Sequence, residues 1–270
     1  MHKTYLLLVS LLMLLSCSKF QKAQKSTNPE EKYAKAVEYY NKGDFYKAGV
    51  LLDELMPMLK GTKNAEEAQL KYSYCQYNSH QYYLANYYFN KFYETYPTSE
   101  FSEEALFMAA KSSYMNSPEV KLDQTTTQET LDAFQNFIVK YPNSKFKEEA
   151  TQMIDNARGK LELKLYNQAL LYYKIEEYKA ANVTFDNFKN GFPESSRNEY
   201  ISYLKIKNQY NYAAESVESK KLERYNVAIE FYQDFVDKYP QSKYLKDAES
   251  IYDNISNKLK ELNKLQNKNG

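Results

Sequence analysis

Few residues in this chain are equipped to do chemistry alone. Its 270 residues include two histidines, His2 and His80, two cysteines, Cys17 and Cys75, and no tryptophan. If the N-terminal segment is removed, one imidazole and one spare thiol remain, too few for a His/Cys metal site. Any Ser-His-Asp relay would hang on His80 alone, and no G-x-x-x-x-G-K-[ST] loop is present to cradle a nucleotide. The chain therefore reads as non-enzymatic, with no catalytic residue, no metal site and no cofactor. Without tryptophan it also lacks the usual stacking platform for sugars, although tyrosine can substitute. Its 36 Lys and Arg face 35 Asp and Glu, which leaves counterion release little to act on, so nucleic acid is not an expected partner.

Cys17 is the one residue whose setting implies covalent modification. Lys3 supplies a short positive n-region, Leu6 to Leu15 form an apolar run broken only by Ser10, and the small Ser16 precedes the cysteine. Ten residues of helix rise roughly 15 Å, about half of a ~30 Å bilayer core, so the run is a signal h-region and not a membrane span. Leu14-Leu15-Ser16-Cys17 resembles the bacterial lipobox, in which cleavage leaves a cysteine that carries three acyl chains. At ~0.8 kcal/mol per buried methylene, such a set of chains anchors a protein durably. Ser18 is not the aspartate that retains many lipoproteins at the inner membrane, which favours the outer membrane. The absence of an acidic cluster after Cys17 argues against export to the cell surface. Residues 1–16 are thus expected to be a signal peptide, and 17–29 a lipidated cysteine followed by a polar, flexible tether. Cys75 is left without a disulfide partner.

The elements that must position any binding surface are helices. Six glycines and seven prolines in the whole chain are too few for the turns of a sandwich, a barrel or a Rossmann domain. One string recurs four times: FYETYPTS (92–99), FIVKYPNS (137–144), FKNGFPES (188–195) and FVDKYPQS (235–242). Its prolines, Pro97, Pro142, Pro193 and Pro240, are 45, 51 and 47 residues apart, the scale of a helical solenoid. Proline stops one helix, and the serine two residues on can accept the orphan N–H groups of the next. Glu103, Glu148 and Glu199 stand near the new N-termini, where they suit the helix dipole.

Before the corners run stripes at i, i+3, i+7 and i+10, as in Tyr82, Ala85, Phe89 and Phe92, repeated at Tyr178, Ala181, Phe185 and Phe188 and at Tyr225, Ala228, Tyr232 and Phe235. They match the second helix of a tetratricopeptide repeat. Tyr33, Val37 and Tyr40 begin a first-helix stripe that recurs at Leu70, Tyr74 and Tyr77. In the turn between them, Gly43 is placed as C′ and Asp44 as the next N-cap. Helices are expected over 30–42, 44–59, 64–79, 81–96, 99–116, 126–141, 144–174, 177–191, 195–217, 220–239 and 242–266. The fold class is all-α, an α-solenoid of five tetratricopeptide-like pairs plus a C-terminal capping helix. N-terminal repeats are expected over 30–141, and C-terminal repeats with the cap over 142–266. The third pair departs from the pattern, with Thr127 and Thr130 where Tyr and Ala are expected and an inserted loop at 117–125.

If residues 33, 37 and 40 point into the stack, then Ala34, Glu38 and Asn41 face the inner surface, with Lys71, Cys75 and Asn78 as their equivalents in the second pair. Asparagine amides both donate to and accept from a peptide backbone. Glu38, Asn41, Lys71 and Asn78 are therefore the candidate groove for an extended peptide.

With the lipobox, the tether, the helix pairs, the YP-x-S corners and the segment LDQTTTQETLDAFQNFIVKYPNS (122–144), the sequence resembles the BamD family of outer-membrane β-barrel assembly lipoproteins along essentially its whole length. That last segment is the most specific feature. The resemblance implies an adaptor at the periplasmic face of the outer membrane that catalyses no reaction. Its implied partners are a BamA-like insertase, other assembly lipoproteins and unfolded outer-membrane proteins. It further implies docking of the insertase on C-terminal repeats, residues 195–262, where Arg197 and Arg224 are two of only three arginines and so candidates for bidentate pairing. The rival reading is a periplasmic tetratricopeptide lipoprotein coordinating cell-envelope, peptidoglycan or secretion machinery, which shares the corners but not the LDQT segment.

Overall fold

A computed structural model describes residues 19–269 of the chain, all helix and connecting turns, with no strand among them. The signal peptide and Cys17 expected from the sequence lie outside the described residues. A short helix, α1, covers residues 19–25. Eleven more follow: α2 (Pro29–Asn41), α3 (Phe45–Leu59), α4 (Ala65–Asn78), α5 (Tyr82–Thr95), α6 (Ser102–Met115), α7 (Thr125–Lys140), α8 (Lys147–Lys174), α9 (Tyr178–Gly191), α10 (Asn198–Ala214), α11 (Glu218–Lys238) and α12 (Leu245–Asn269). Within each of two units, helices adjacent in sequence pack on one another in series, α2 to α7 in the first and α9 to α12 in the second, the repeat-like arrangement of an α-solenoid.

Two compact units divide the chain, residues 1–158 and 159–270, so the division falls inside α8 and not at the corner near 141. A helix of 28 residues is long enough to serve two hairpin stacks. Its first half buries Ala150 in one unit, and its second half buries Ala169 in the other.

In the first unit, Ala36, Ala48, Leu51, Leu52, Leu55 and Ala68 form one buried cluster across α2, α3 and α4. Phe89, Phe92, Phe107, Phe134 and Phe137 form the next, across α5, α6 and α7. The second unit repeats the pattern with Ala181, Phe185, Phe188 and Ile201, and then with Tyr225, Ala228 and Ile255. In the second and fourth hairpins the small Ala85 and Ala181 let the partner helix approach while Phe89 and Phe185, four residues on, fill the space beyond.

The expected tether is partly structured. Phe20 meets Tyr39 edge-on with ring centroids 5.8 Å apart, Ala23 is buried, and Gln24 donates to Glu54 at 3.0 Å. Composition described this stretch as polar, but Phe20 and Ala23 are three residues apart and share one helical face. Lys32 donates to the same Glu54 at 2.8 Å, so one carboxylate joins α1, α2 and α3. That contact, with burial opposing it, holds the Glu54 carboxyl below its ordinary range.

In the third pair, Thr127 and Thr130 are fully buried with their hydroxyls paired, Thr130 to the Thr126 carbonyl at 2.7 Å and Thr127 to the Gln124 amide oxygen at 2.8 Å. Within the LDQT segment, Asp123 caps the Thr125 N–H at 2.9 Å, and the Gln124 amide donates to the carbonyls of Glu119 and Leu122. The residues that make this segment distinctive are those that close the loop onto α7.

Candidate functional site

The turn inside each pair sets where the candidate groove residues stand. In the first pair Gly43 has φ +76°, the N–H of Asp44 reaches back to the Tyr39 carbonyl at 3.0 Å, and the Asp44 side chain caps Lys47. This is a Schellman closure. The second and fourth pairs make the same closure through Gln81 to Gln76 and Glu177 to Tyr172, with His80 at φ 59° and Glu176 at φ 62° in the glycine position. His80, the one histidine among the described residues, is thus a turn residue whose Nδ1 lies 2.7 Å from the Tyr82 hydroxyl.

Asn41 and Asn78 are exposed and each ends the first helix of its pair, one residue past Tyr40 and Tyr77. Their equivalence is therefore structural as well as sequential. The two charged candidates are already engaged. Glu38 lies 2.7 Å from the Lys35 ammonium and 2.5 Å from that of Lys42, and these two lysines pull its carboxyl down to about 2. Lys71 pairs with Glu67 at 3.3 Å and stands 4.7 Å over the Tyr40 ring, which links α4 to α2. Cys75 does not face outward with them. It is 1% exposed against α3, where a Cβ at Gly49 would stand 3.4 Å from its own, and burial pushes the thiol up to about 12. α4 also buries Ala68, Tyr72 and Cys75 in the cluster formed with Leu51, Leu52 and Leu55 of α3, so that side of the helix takes in the middle of the line drawn through Lys71, Cys75 and Asn78.

The corner serines do more than the sequence suggested, and do it slightly elsewhere. Each helix begins three residues after its serine, because the serine closes a preceding turn. Ser99, Ser144, Ser195 and Ser242 accept the N–H two residues on at 3.0–3.1 Å. Each also donates its hydroxyl to a glutamate one hairpin earlier: Ser99 to Glu66, Ser144 to Glu103 at 2.6 Å, Ser195 to Glu162 at 2.6 Å and Ser242 to Glu199 at 2.6 Å. Glu103 and Glu199 thus act as latches between successive corners, beyond any effect on the helix dipole. In the overlong α8, Glu162 takes this role. The signal was available as a first-helix glutamate recurring ahead of each YP-x-S string.

Both candidate docking arginines have work within the second unit. Arg197 donates to Glu162 at 2.6 Å, the same oxygen that Ser195 holds, with its guanidinium 5.2 Å from the Tyr166 ring centre. Arg224 lies 4.0 Å over Tyr212 and donates to the Ser216 hydroxyl, while its carbonyl accepts from Gln209 at 3.1 Å. Arg197 is still 40% exposed at its side chain, so it keeps a face for a partner.

Among the described residues, no group of three or more His, Cys, Asp or Glu side chains could hold a metal ion, and no helix is long and apolar enough to cross a membrane. What the geometry offers is surface: a serial stack of helix hairpins latched corner to corner, the build of a repeat scaffold that presents faces to other molecules. A family model described as outer membrane lipoprotein, YfiO, matches residues 25–169 and 164–263. The chain belongs to this family, which is the BamD family, and so to the lipoproteins associated with the outer-membrane assembly machinery. No curated protein matched the chain.

Proposed function

We propose that the protein is a non-enzymatic adaptor lipoprotein of the outer-membrane β-barrel assembly machinery, held by acyl chains on Cys17 at the periplasmic face. In this reading it binds the periplasmic domains of a BamA-like insertase through residues 195–262, alongside other assembly lipoproteins. Unfolded barrel proteins are received at the N-terminal hairpins by way of Asn41 and Asn78. The observation that carries the reading is the family match, which runs through every helix from α2 to α11 and into α12. The latched hairpins support it, since an adaptor needs stable faces and no reacting group.

Depletion of the protein followed by counting of outer-membrane barrels tests the role, and crosslinking identifies the partner. Loss of barrels together with recovery of the insertase is the expected result. Recovery of peptidoglycan enzymes with barrels unchanged would instead favour an envelope-coordinating lipoprotein. Mass spectrometry of the mature N-terminus tests the anchor, with a triacylated Cys17 expected. At the groove, Asn41→Ala with Asn78→Ala should weaken capture of barrel-derived peptides without lowering the melting temperature, because both amides are exposed. At the docking face, Arg197→Glu should weaken insertase pull-down more than Glu162→Gln does, since both changes disturb the Glu162 contact but only one reverses the exposed charge.

A further inference from the structure

The serine latches sort the helix ends of the first unit into two edges. Ser99, at the corner after α5, holds Glu66 in the first turn of α4, and Ser144, at the corner after α7, holds Glu103 in the first turn of α6. The corners therefore follow one another along one edge, and the turns inside the three hairpins, at residues 42–44, 79–81 and 116–124, lie along the opposite one. α1 joins this turn edge by its N-terminal end. Phe20 packs on Tyr39, beside the first turn, whereas Gln24, one helical turn later, reaches Glu54 well along α3. Cys17 precedes Lys19 by two residues, so at most about 7 Å of chain separates it from α1.

Exposed apolar side chains gather at the same edge. Tyr46 and Tyr83, the second residues of α3 and α5, are 74% and 75% exposed, and Met115 and Leu122 flank the third turn with much of their surface in water. At the corner edge the comparable side chains are Met58 and Val139, each alone at its corner. A tyrosine, with its apolar ring and hydrated hydroxyl, suits the headgroup layer of a bilayer. Residues 19–29 carry Lys19, Lys22 and Lys25, all exposed, and no acidic side chain, which suits anionic lipid. Glu38 and Asp44, the acidic side chains nearest the first turn in sequence, are each already met by lysine. We propose that the turn edge of the first unit lies on the bilayer that holds the acyl chains, with Tyr46 and Tyr83 in the headgroup layer and the lysines of α1 against anionic lipid. The inference rests on the acylation of Cys17 proposed above and goes beyond it. A flexible tether would leave the molecule free to turn, whereas α1, packed on α2 and α3, fixes which edge meets the lipid.

The chain contains no tryptophan, so a single one reports its own surroundings. Tyr46→Trp, Tyr83→Trp and Met58→Trp are each introduced into the mature acylated chain and reconstituted in vesicles of phosphatidylethanolamine and phosphatidylglycerol, with and without brominated acyl chains. All three positions are exposed, so the packing is kept. Tyr46→Trp and Tyr83→Trp should emit further to the blue than Met58→Trp and lose emission to the brominated lipid. Met58→Trp, roughly 18 Å along α3 from Tyr46, should do neither. Flotation with the vesicles reads the anchor separately. Protein that floats while all three variants emit alike would overturn the proposal and leave the anchor standing, and protein that does not float would overturn both. A blue shift without quenching by bromine would show that a protein covers this edge, and would overturn the proposal as well.

Discussion

His80 and Glu176 hold left-handed backbone conformations that an L-residue adopts at a cost, whereas Gly43 occupies the equivalent turn freely. Replacing His80 with glycine is expected to stabilise the protein by about 0.5–1 kcal/mol, the left-handed cost less the extra entropy of glycine. Urea denaturation measures it; destabilisation would mean that the Tyr82 contact outweighs the strain. At the corners the sign reverses. Ser144→Ala removes both the cap on Phe146 and the latch to Glu103, and should cost about 1–2 kcal/mol. Cys75 should resist iodoacetamide at pH 8 in the folded protein and react at once in denaturant, since burial holds its thiol protonated far above that pH. Labelling of the native protein at the rate of a free thiol would contradict its place in the core. These residues also mark where sequence reading stops. Asn41 and Asn78 are equivalent, as their spacing implied, but Cys75 on the same notional line is buried, because α4 packs on α3 as well as on its own pair partner and its α3 side includes Cys75. The arginines stood out by rarity, which says nothing of the Glu162 and Tyr212 contacts that occupy them.

At the scale of elements, the helix order and nearly every boundary were legible, because proline at the corners and the alanine–phenylalanine stripes leave little freedom. Helix starts after YP-x-S were the systematic exception. The serine pattern announces a cap, but it caps an intervening turn, so α6, α8, α10 and α12 begin three residues later than the string suggests. α1 was hidden because two apolar residues in a lysine- and glutamine-rich stretch look like none. The overlong α8 was visible as a length, but its division between two units was not, since no proline interrupts it. Gly159 stands at that division, helical, exposed and with open space where a Cβ would go. Gly159→Ala should therefore raise stability by about 0.5–1 kcal/mol through helix propensity alone, read as a higher urea midpoint at unchanged slope. A loss instead would show that this point of α8 must depart from regular helix.

At the scale of the whole molecule, stability is built from interfaces between successive hairpins, each too small to fold alone. One buried ring therefore supports more than the helix that carries it. Phe188 is fully buried, with ring centres 5.8 Å from Tyr166 on α8 and 5.7 Å from Phe192 at the following corner, in a cluster that also holds Ile201 and Leu204 of α10. Phe188→Ala should cost about 3–5 kcal/mol, a large share of the ~5–15 kcal/mol available to an ordinary domain. In a serial stack that loss is not spread evenly, because each hairpin draws its support from the neighbours it touches. Hydrogen exchange should therefore quicken most in α9 and α10, whose facing stripes lose the ring, and in the second half of α8. The amides of α3 and α4, buried around Leu51, Leu52 and Leu55 in a different cluster, should keep their relative protection. Uniform acceleration across all of these helices would show a single cooperative core and would refute stabilisation by neighbouring hairpins. The graded response bears on the proposed adaptor role, since a scaffold of this build can yield locally at one face while the others stay ordered.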